Sequence, residues 1–101
     1  MTLKIPNIIR VGSTDYTVEY SKGLASGATL LGEINYGQCT IKIDDSLPAS
    51  RAREVLAHEL VHALLLEAGY DDHEEEQAIR VGTILAMLLR DNDFAFMKED
   101  E

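Results

Sequence analysis

The sequence feature that most constrains the fold is an apolar helix interrupted by three ionisable groups. From Val55 to Leu66 the chain is apolar on nearly every side of a helical projection, and only His58, Glu59 and His62 break the pattern. Such a helix must be covered from more than one direction, because no face of it is suited to water. We therefore expect the three polar side chains to lie in the middle of the domain.

The first half of the chain has the residue pattern of short β-strands. β-branched and aromatic residues predict strands over residues 8–11, 16–20, 31–35 and 38–44. A glycine-containing segment at 22–30 predicts an irregular connection between two hairpins. In the last strand Cys39, Ile41 and Ile43 occupy alternate positions, which predicts one buried face. We expect a short, mostly antiparallel sheet of three to four strands.

The second half of the chain predicts two helices. The first begins near Pro48 and ends at Gly69, a residue type that is common just past a helix C-terminus. The second begins near Asp71 or Asp72, either of which can cap its N-terminus, and continues to about Arg90. The expected fold class is α+β, with the sheet packed on the buried helix and the C-terminal helix as the second cover.

Length and composition restrict the domain organisation and the partners. A chain of 101 residues predicts one domain over 1–93 and an acidic tail over 94–101. The net charge of −9 repels phosphate backbones, so no nucleic acid partner is expected. No uncharged stretch approaches the roughly 20 residues that span a bilayer, so no membrane partner is expected. The single cysteine, Cys39, permits no intrachain disulfide, and a cytoplasmic location is the expectation.

Residues 58–62 fit the pattern H-E-x-x-H. His58 and His62 lie about 40° apart on one helix face, so both imidazoles can bind one zinc ion at about 2.0–2.1 Å. Glu59 flanks the pair, which suits a base that acts on water. The alternative is two buried histidines that are satisfied by protein hydrogen bonds. Burial of three unpaired ionisable groups would cost several kcal/mol, so the pattern favours one zinc ion per chain.

A catalytic zinc ion needs a third protein ligand, and the candidates lie near the start of the second helix. They are His73, Glu74, Glu75 and Glu76, with Asp71 and Asp72 less well placed. Helical phase favours Glu75, because it heads a continuous apolar face formed by Ala78, Ile79, Gly82, Ala86 and Leu89. Glu74 heads a partly apolar face, and Glu76 heads a mixed one.

These motifs resemble a known family. The segments "LAHELVHALL" and "GEINYGQCTIKID" and the acidic cluster are similar to the small phage-type members of the ImmA/IrrE metallopeptidase family. The resemblance covers roughly residues 28 to 92. Within it, the residues from Glu75 to Ala78 form an E-x-x-A pattern similar to the one that holds the glutamate ligand in such peptidases.

The resemblance implies a zinc metallopeptidase of phage or prophage origin, with a minimal zincin-like fold of the gluzincin type, in the host cytoplasm. It implies that His58, His62 and Glu75 bind the zinc ion and that Glu59 is the catalytic base. A protein or peptide substrate would bind to an edge strand by strand addition.

Two questions remain open from the residues alone. The donor that would stabilise an oxyanion is not fixed, and Tyr36, Tyr70 and His73 are the candidates. The competing function is a zinc-stabilised adaptor or structural phage protein, in which His73 as a fourth ligand would close the site. A weaker alternative is a peptidase-like fold that has lost activity and only binds proteins.

Overall fold

The computed structural model describes residues 5–22 and 31–99. The elements are β1 (Ile8–Val11), β2 (Thr14–Ser21), β3 (Gly32–Asn35), β4 (Thr40–Asp44), α1 (Ala49–Glu67), α2 (Glu75–Asp91) and a short 3-10 helix (Ala95–Lys98). These elements confirm the expected α+β class, with two helices and four strands. The predicted irregular connection lies almost entirely in residues 23–30, outside the described residues. None of the helices described is long and apolar enough to cross a membrane.

The sheet is mixed, with strand order β1-β2-β4-β3. The two outer pairs are antiparallel, whereas the central β2–β4 pair is parallel. The prediction of a mostly antiparallel sheet is therefore confirmed for the β1–β2 and β3–β4 pairs. It did not include the parallel pairing of β2 with β4. Because Ile41 and Ile43 retain no exposed surface, β4 takes a central position. This leaves β3 at the edge of the sheet.

Three strands begin at other residues than predicted, and β3 begins only one residue late, at Gly32. β2 begins at Thr14, because Val11 pairs with Thr14 across a two-residue turn whose Gly12 has a φ of 62°. β4 begins at Thr40, since the turn that joins it to β3 extends through Cys39, which has a φ of 53°. The prediction that Cys39 lies in the strand is wrong, and its thiol is half-buried in the turn.

α1 lies between the sheet and α2. Ala52 and Val55 belong to the core that α1 shares with the strands. The helix ends in a Schellman motif, in which the Gly69 amide donates to the Leu66 carbonyl and the Tyr70 amide donates to the Leu65 carbonyl. The predicted helix stop at Gly69, whose φ is 101°, is confirmed.

α2 begins later than predicted. Its N-cap is Glu74, which forms a capping box with Gln77: the Glu74 side chain accepts from the Gln77 amide, and the Gln77 side chain accepts from the Glu74 amide. The predicted caps at Asp71 and Asp72 are wrong, because this reciprocal pair fixes the start of the helix. The segment before Glu74 consequently stays non-helical, and His73 belongs to it.

α2 approaches α1 through small residues. Ala78 and Gly82 are its buried positions. A Cβ atom at Gly82 would stand 2.9 Å from the His58 Cα atom, so the two backbones touch there. The predicted apolar face is narrower than expected, because Ile79 is 53% exposed and Leu89 is 50% exposed. Close approach of the helices brings the start of α2 against the histidines of α1.

Candidate metal centre

A groove of about 620 Å³ lies between β3, α1 and α2. Its polar lining consists of Glu33, Tyr36, Arg51, Glu54, His58, Glu59, His62, Glu75 and Thr83. The edge strand β3 therefore forms one wall, and the ionisable residues of α1 form the floor. We expected His58, Glu59 and His62 to be buried in the middle of the domain. They are covered on one side only, because the groove exposes their other side to solvent.

Three side chains converge in this groove. The His58 Nε2 atom lies 3.2 Å from the His62 Nε2 atom. One oxygen of Glu75 lies 2.5 Å from His58 Nε2, and its other oxygen lies 3.3 Å from His62 Nε2. The two imidazoles come from one face of α1, and the carboxylate comes from the first residue of α2. The structure thus brings together the three residues for which zinc binding was predicted.

Two of the three spacings fit a bound metal ion, namely 3.2 Å between the two nitrogens and 3.3 Å between Glu75 and His62, whereas the 2.5 Å between Glu75 and His58 is the length of a short hydrogen bond. A tetrahedral zinc ion with bonds of about 2.0–2.1 Å places its ligand atoms about 3.3 Å apart. Without a metal, Glu75 can accept from both rings only if both Nε2 atoms of His58 and His62 carry a hydrogen. Two N–H groups would then converge at 3.2 Å, which is unfavourable. A cation at the centre would use the lone pairs of both nitrogens, whereas the metal-free alternative is one hydrogen bond between the two Nε2 atoms, with a hydrogen on only one of them.

Glu59 lies beside this convergence in a more buried position. Glu59 is only 6% exposed. A carboxylate oxygen of Glu59 and one ring nitrogen each of His58 and His62 lie within 4.8 Å of one another. Burial raises the pKa of Glu59 to about 7, with further contributions from the negative charges of Glu75 and Glu33. A carboxyl group with such a pKa can exchange protons near neutral pH.

The close packing of β3 contributes to the burial of Glu59. Gly32 is buried, and a Cβ atom there would lie 2.5 Å from a methyl carbon of Val55 and 3.4 Å from a carboxylate oxygen of Glu59. Only a glycine lets the edge strand come this near to α1. Sequence reasoning missed this role of Gly32. The glycine at the start of a short strand was the available signal.

The surroundings of His62 favour its neutral form. Burial is the main cause that lowers its pKa, and the neighbouring His58 and His73 add to the effect, whereas Glu75 opposes it. A neutral imidazole is the form that binds metals. The Nδ1 atom of His62 lies 2.6 Å from His73 Nε2, on the side of the ring away from Glu75. His73 therefore contacts His62, a predicted ligand, and is not one of the three converging side chains.

The other acidic candidates have separate structural roles. Glu74 is the N-cap of α2, and Glu76 pairs with Arg80 at 2.9 Å on the exposed side of the helix. Neither carboxylate is among the groove residues. Asp71 and Asp72 are exposed in the segment between the helices. The structure thus separates Glu75 from its rivals by position.

The two tyrosine candidates differ in location. Tyr36 lines the groove, and burial followed by the charges of Glu59 and Glu75 raises its pKa. Tyr70 is 61% exposed and does not line the groove. Of the two, only Tyr36 is placed to donate a hydrogen bond to a molecule in the groove.

Comparisons with known proteins add no relative from which a role can be transferred. No protein-family model, curated protein or solved structure matches the chain at a significant level. Any function assigned to the groove must be argued from its own residues.

Proposed function

We propose that this protein is a zinc-dependent metallopeptidase with an ImmA/IrrE-like, zincin-like fold. The observation that carries the proposal is the convergence of His58, His62 and Glu75, with nitrogen–nitrogen and nitrogen–oxygen distances of 3.2, 2.5 and 3.3 Å. Two imidazoles and one carboxylate are a ligand set of catalytic zinc sites, in which a fourth position is kept for water or substrate. These three residues would hold the ion.

The catalytic chemistry requires a base beside the metal ligands. When bound, zinc would supply a Lewis acid that polarises the scissile carbonyl and lowers the pKa of water toward ~7. Glu59 would accept a proton from the attacking water and donate it to the leaving amine. Its buried position beside the proposed ligands places it for both transfers. Tyr36 is the proposed donor to the developing oxyanion.

The position of β3 indicates how a substrate would bind. Within residues 5–22 and 31–99, β3 is an edge strand, so one side of its backbone has no strand partner there, and it forms a wall of the groove. An extended peptide can add to such an edge by main-chain hydrogen bonds. A peptide beside β3 would pass Glu59 and the converging ligands. The proposed substrate is therefore an extended segment of a protein or peptide.

Cleavage of a fluorogenic peptide library by zinc-loaded protein tests the proposal. Glu59→Gln preserves the shape and burial of the side chain and removes its ability to accept the proton. We expect zinc content to be unchanged and turnover to fall by a factor of about 10² or more. As a matched control, Glu54→Gln changes a groove residue that pairs with Arg51 and does not contact the ligands. Equal cleavage by the wild type and Glu59→Gln would reject the catalytic role.

A second candidate is a zinc-stabilised adaptor that binds a protein without cutting it. The observation that favours it is the apolar outer surface of α2 and the 3-10 helix, where Ile84, Phe96 and Met97 are 63%, 61% and 72% exposed. Exposed apolar side chains of this size often mark interaction surfaces. Zinc binding with no cleavage of any library peptide would favour this function over the peptidase.

A further inference from the structure

We propose that His73 is a positioning residue that fixes the tautomer of His62 for metal binding. The inference rests on the proposed function, because it assumes that His62 binds a metal ion through Nε2. It assigns His73 a hydrogen-bonding role in place of the ligand role that the sequence left open. A neutral imidazole ring carries a single hydrogen on one of its two nitrogens.

The position of Glu75 shows which nitrogen of His62 belongs to the metal centre. His62 Nε2 lies 3.2 Å from His58 Nε2 and 3.3 Å from a Glu75 oxygen. A metal ligand must offer a lone pair, so the hydrogen of His62 must then reside on Nδ1. That Nδ1 atom lies 2.6 Å from His73 Nε2. The Nδ1–H group of His62 therefore donates to His73.

The same tautomer fixes the hydrogen of His73. Because its Nε2 atom accepts from His62, a neutral His73 carries its own hydrogen on Nδ1. This Nδ1 atom is buried and has no hydrogen-bond partner within residues 5–22 and 31–99. An unpaired buried donor is a feature that folding alone disfavours. Because this atom is unpaired in either tautomer of His73, the contact of Nε2 with His62 decides where the hydrogen lies.

The fold holds His73 firmly in this place. The segment that contains it is anchored at one end by the Schellman motif at Tyr70 and at the other by the capping box at Glu74. His73 immediately precedes the N-cap, and Glu75 is the first residue of α2. One short segment thus places the acceptor nitrogen of His73 beside Nδ1 of His62 and the carboxylate of Glu75 beside Nε2 of His62.

Zinc affinity, measured by competition with a chelator, tests the role of His73. His73→Leu removes the acceptor, and we expect the affinity to fall about 10- to 100-fold, the range typical of lost outer-shell partners. His73→Gln places an amide group at the position of Nε2, and we expect it to restore the affinity to within a few-fold of wild type. Asp72→Asn is the matched control in the same segment and should bind as the wild type does.

A spectroscopic readout needs no variant. In zinc-loaded wild-type protein, long-range ¹H–¹⁵N correlation spectra should show the His62 hydrogen on Nδ1. A hydrogen on Nε2 of His62, or a folded His73→Leu variant that binds zinc as tightly as wild type, would overturn the inference. Failure of the proposed zinc site has a different signature, because wild-type protein would then take up no zinc, and failure of the peptidase activity alone would leave zinc bound with no peptide cleaved.

Discussion

At the scale of single residues, neighbouring carboxylates at the start of α2 have different surroundings although their sequence context is similar. Glu75 lies against both imidazoles, whereas Glu76 pairs with Arg80 on a side where both side chains are exposed. One residue of helical rotation, about 100°, separates these two environments. Helical phase therefore predicts from the sequence which glutamate lies near the histidines, and its role as a ligand stays a prediction.

The contrast between these two glutamates gives the first prediction. Glu75→Gln removes the negative charge next to both imidazoles, so we expect zinc affinity to fall by at least about 10-fold. Glu76→Gln breaks only an exposed ion pair and should leave zinc affinity unchanged and stability within about 0.5 kcal/mol. Chelator competition and thermal unfolding measure the two effects. A larger loss of affinity in the Glu76 variant would show that the ligand is misassigned.

A second residue prediction concerns pH and a buried tyrosine that does not line the groove. Tyr16 is almost fully buried and its hydroxyl donates to Glu67 at 3.2 Å. Burial, followed by the charge of Glu67, raises the pKa of Tyr16 to about 12. An unfolded tyrosine ionises near pH 10. The contribution of this group to stability is therefore complete below about pH 10 and is lost as the pH rises toward 12.

Ultraviolet absorbance of tyrosinate measures this shift. The difference between the titrations of wild type and Tyr16→Phe isolates the buried group, and its midpoint should lie at about 12. A difference curve centred near pH 10 would mean that Tyr16 is accessible in the folded protein.

At the scale of elements, the contact between α1 and α2 determines whether the centre can form. Gly82→Ala adds a Cβ atom 2.9 Å from the His58 Cα atom, and neither backbone can yield without moving a helix. We expect a loss of stability of about 1–3 kcal/mol and weaker zinc binding, because the helices must separate.

The sign of this effect distinguishes the packing from helix propensity. A glycine-to-alanine change inside an unobstructed helix stabilises it by up to about 1 kcal/mol. A Gly82→Ala variant that unfolds at a higher denaturant concentration and binds zinc as tightly as wild type would contradict the close approach. Val81→Ala is a suitable control, since Val81 is 53% exposed on the same helix.

The elements differ in how far the sequence predicts them. The α1 boundaries follow from Pro48 and Gly69, and β1 from its β-branched residues, because these signals are local. The parallel pairing of β2 with β4 depends on which strand buries the most apolar surface. A local sequence pattern does not contain that information. The late start of α2 depends on the Glu74–Gln77 pair competing with two aspartates that can equally cap a helix.

The candidate site divides in the same way. His58, Glu59 and His62 are predictable because their spacing is internal to one helix. The contact between His62 and His73 joins different elements, and its geometry depends on how the segment before α2 is anchored. The backbone contact at Gly82 likewise requires knowledge of the helix packing. Residues that act within an element are visible in the sequence, whereas residues that act between elements are not.

At the scale of the whole molecule, the proposed metal joins the two helices. In this proposal α1 would supply two ligands and α2 the third, so zinc would bind the folded arrangement and add to its stability. At a free zinc concentration of 100 Kd the gain is about 2.7 kcal/mol. For a domain of this size each kcal/mol corresponds to about 4–8 °C in Tm. Chelation should therefore lower the Tm by about 10–20 °C.

This prediction has an internal control in the groove. His58→Ala should unfold at the same temperature with and without zinc, because it lacks a ligand. A Tm of the wild type that does not respond to zinc would mean that the ion does not bind preferentially to the folded state.

The metal content of purified protein tests most directly whether His58, His62 and Glu75 bind a zinc ion. Elemental analysis of wild-type protein after exposure to zinc and removal of the free ion should give about one zinc ion per chain. Folded His58→Ala protein, treated identically, should give close to none. Zinc binding at this centre would be contradicted by wild-type protein that contains no zinc, or by a folded His58→Ala variant that contains as much zinc as wild type.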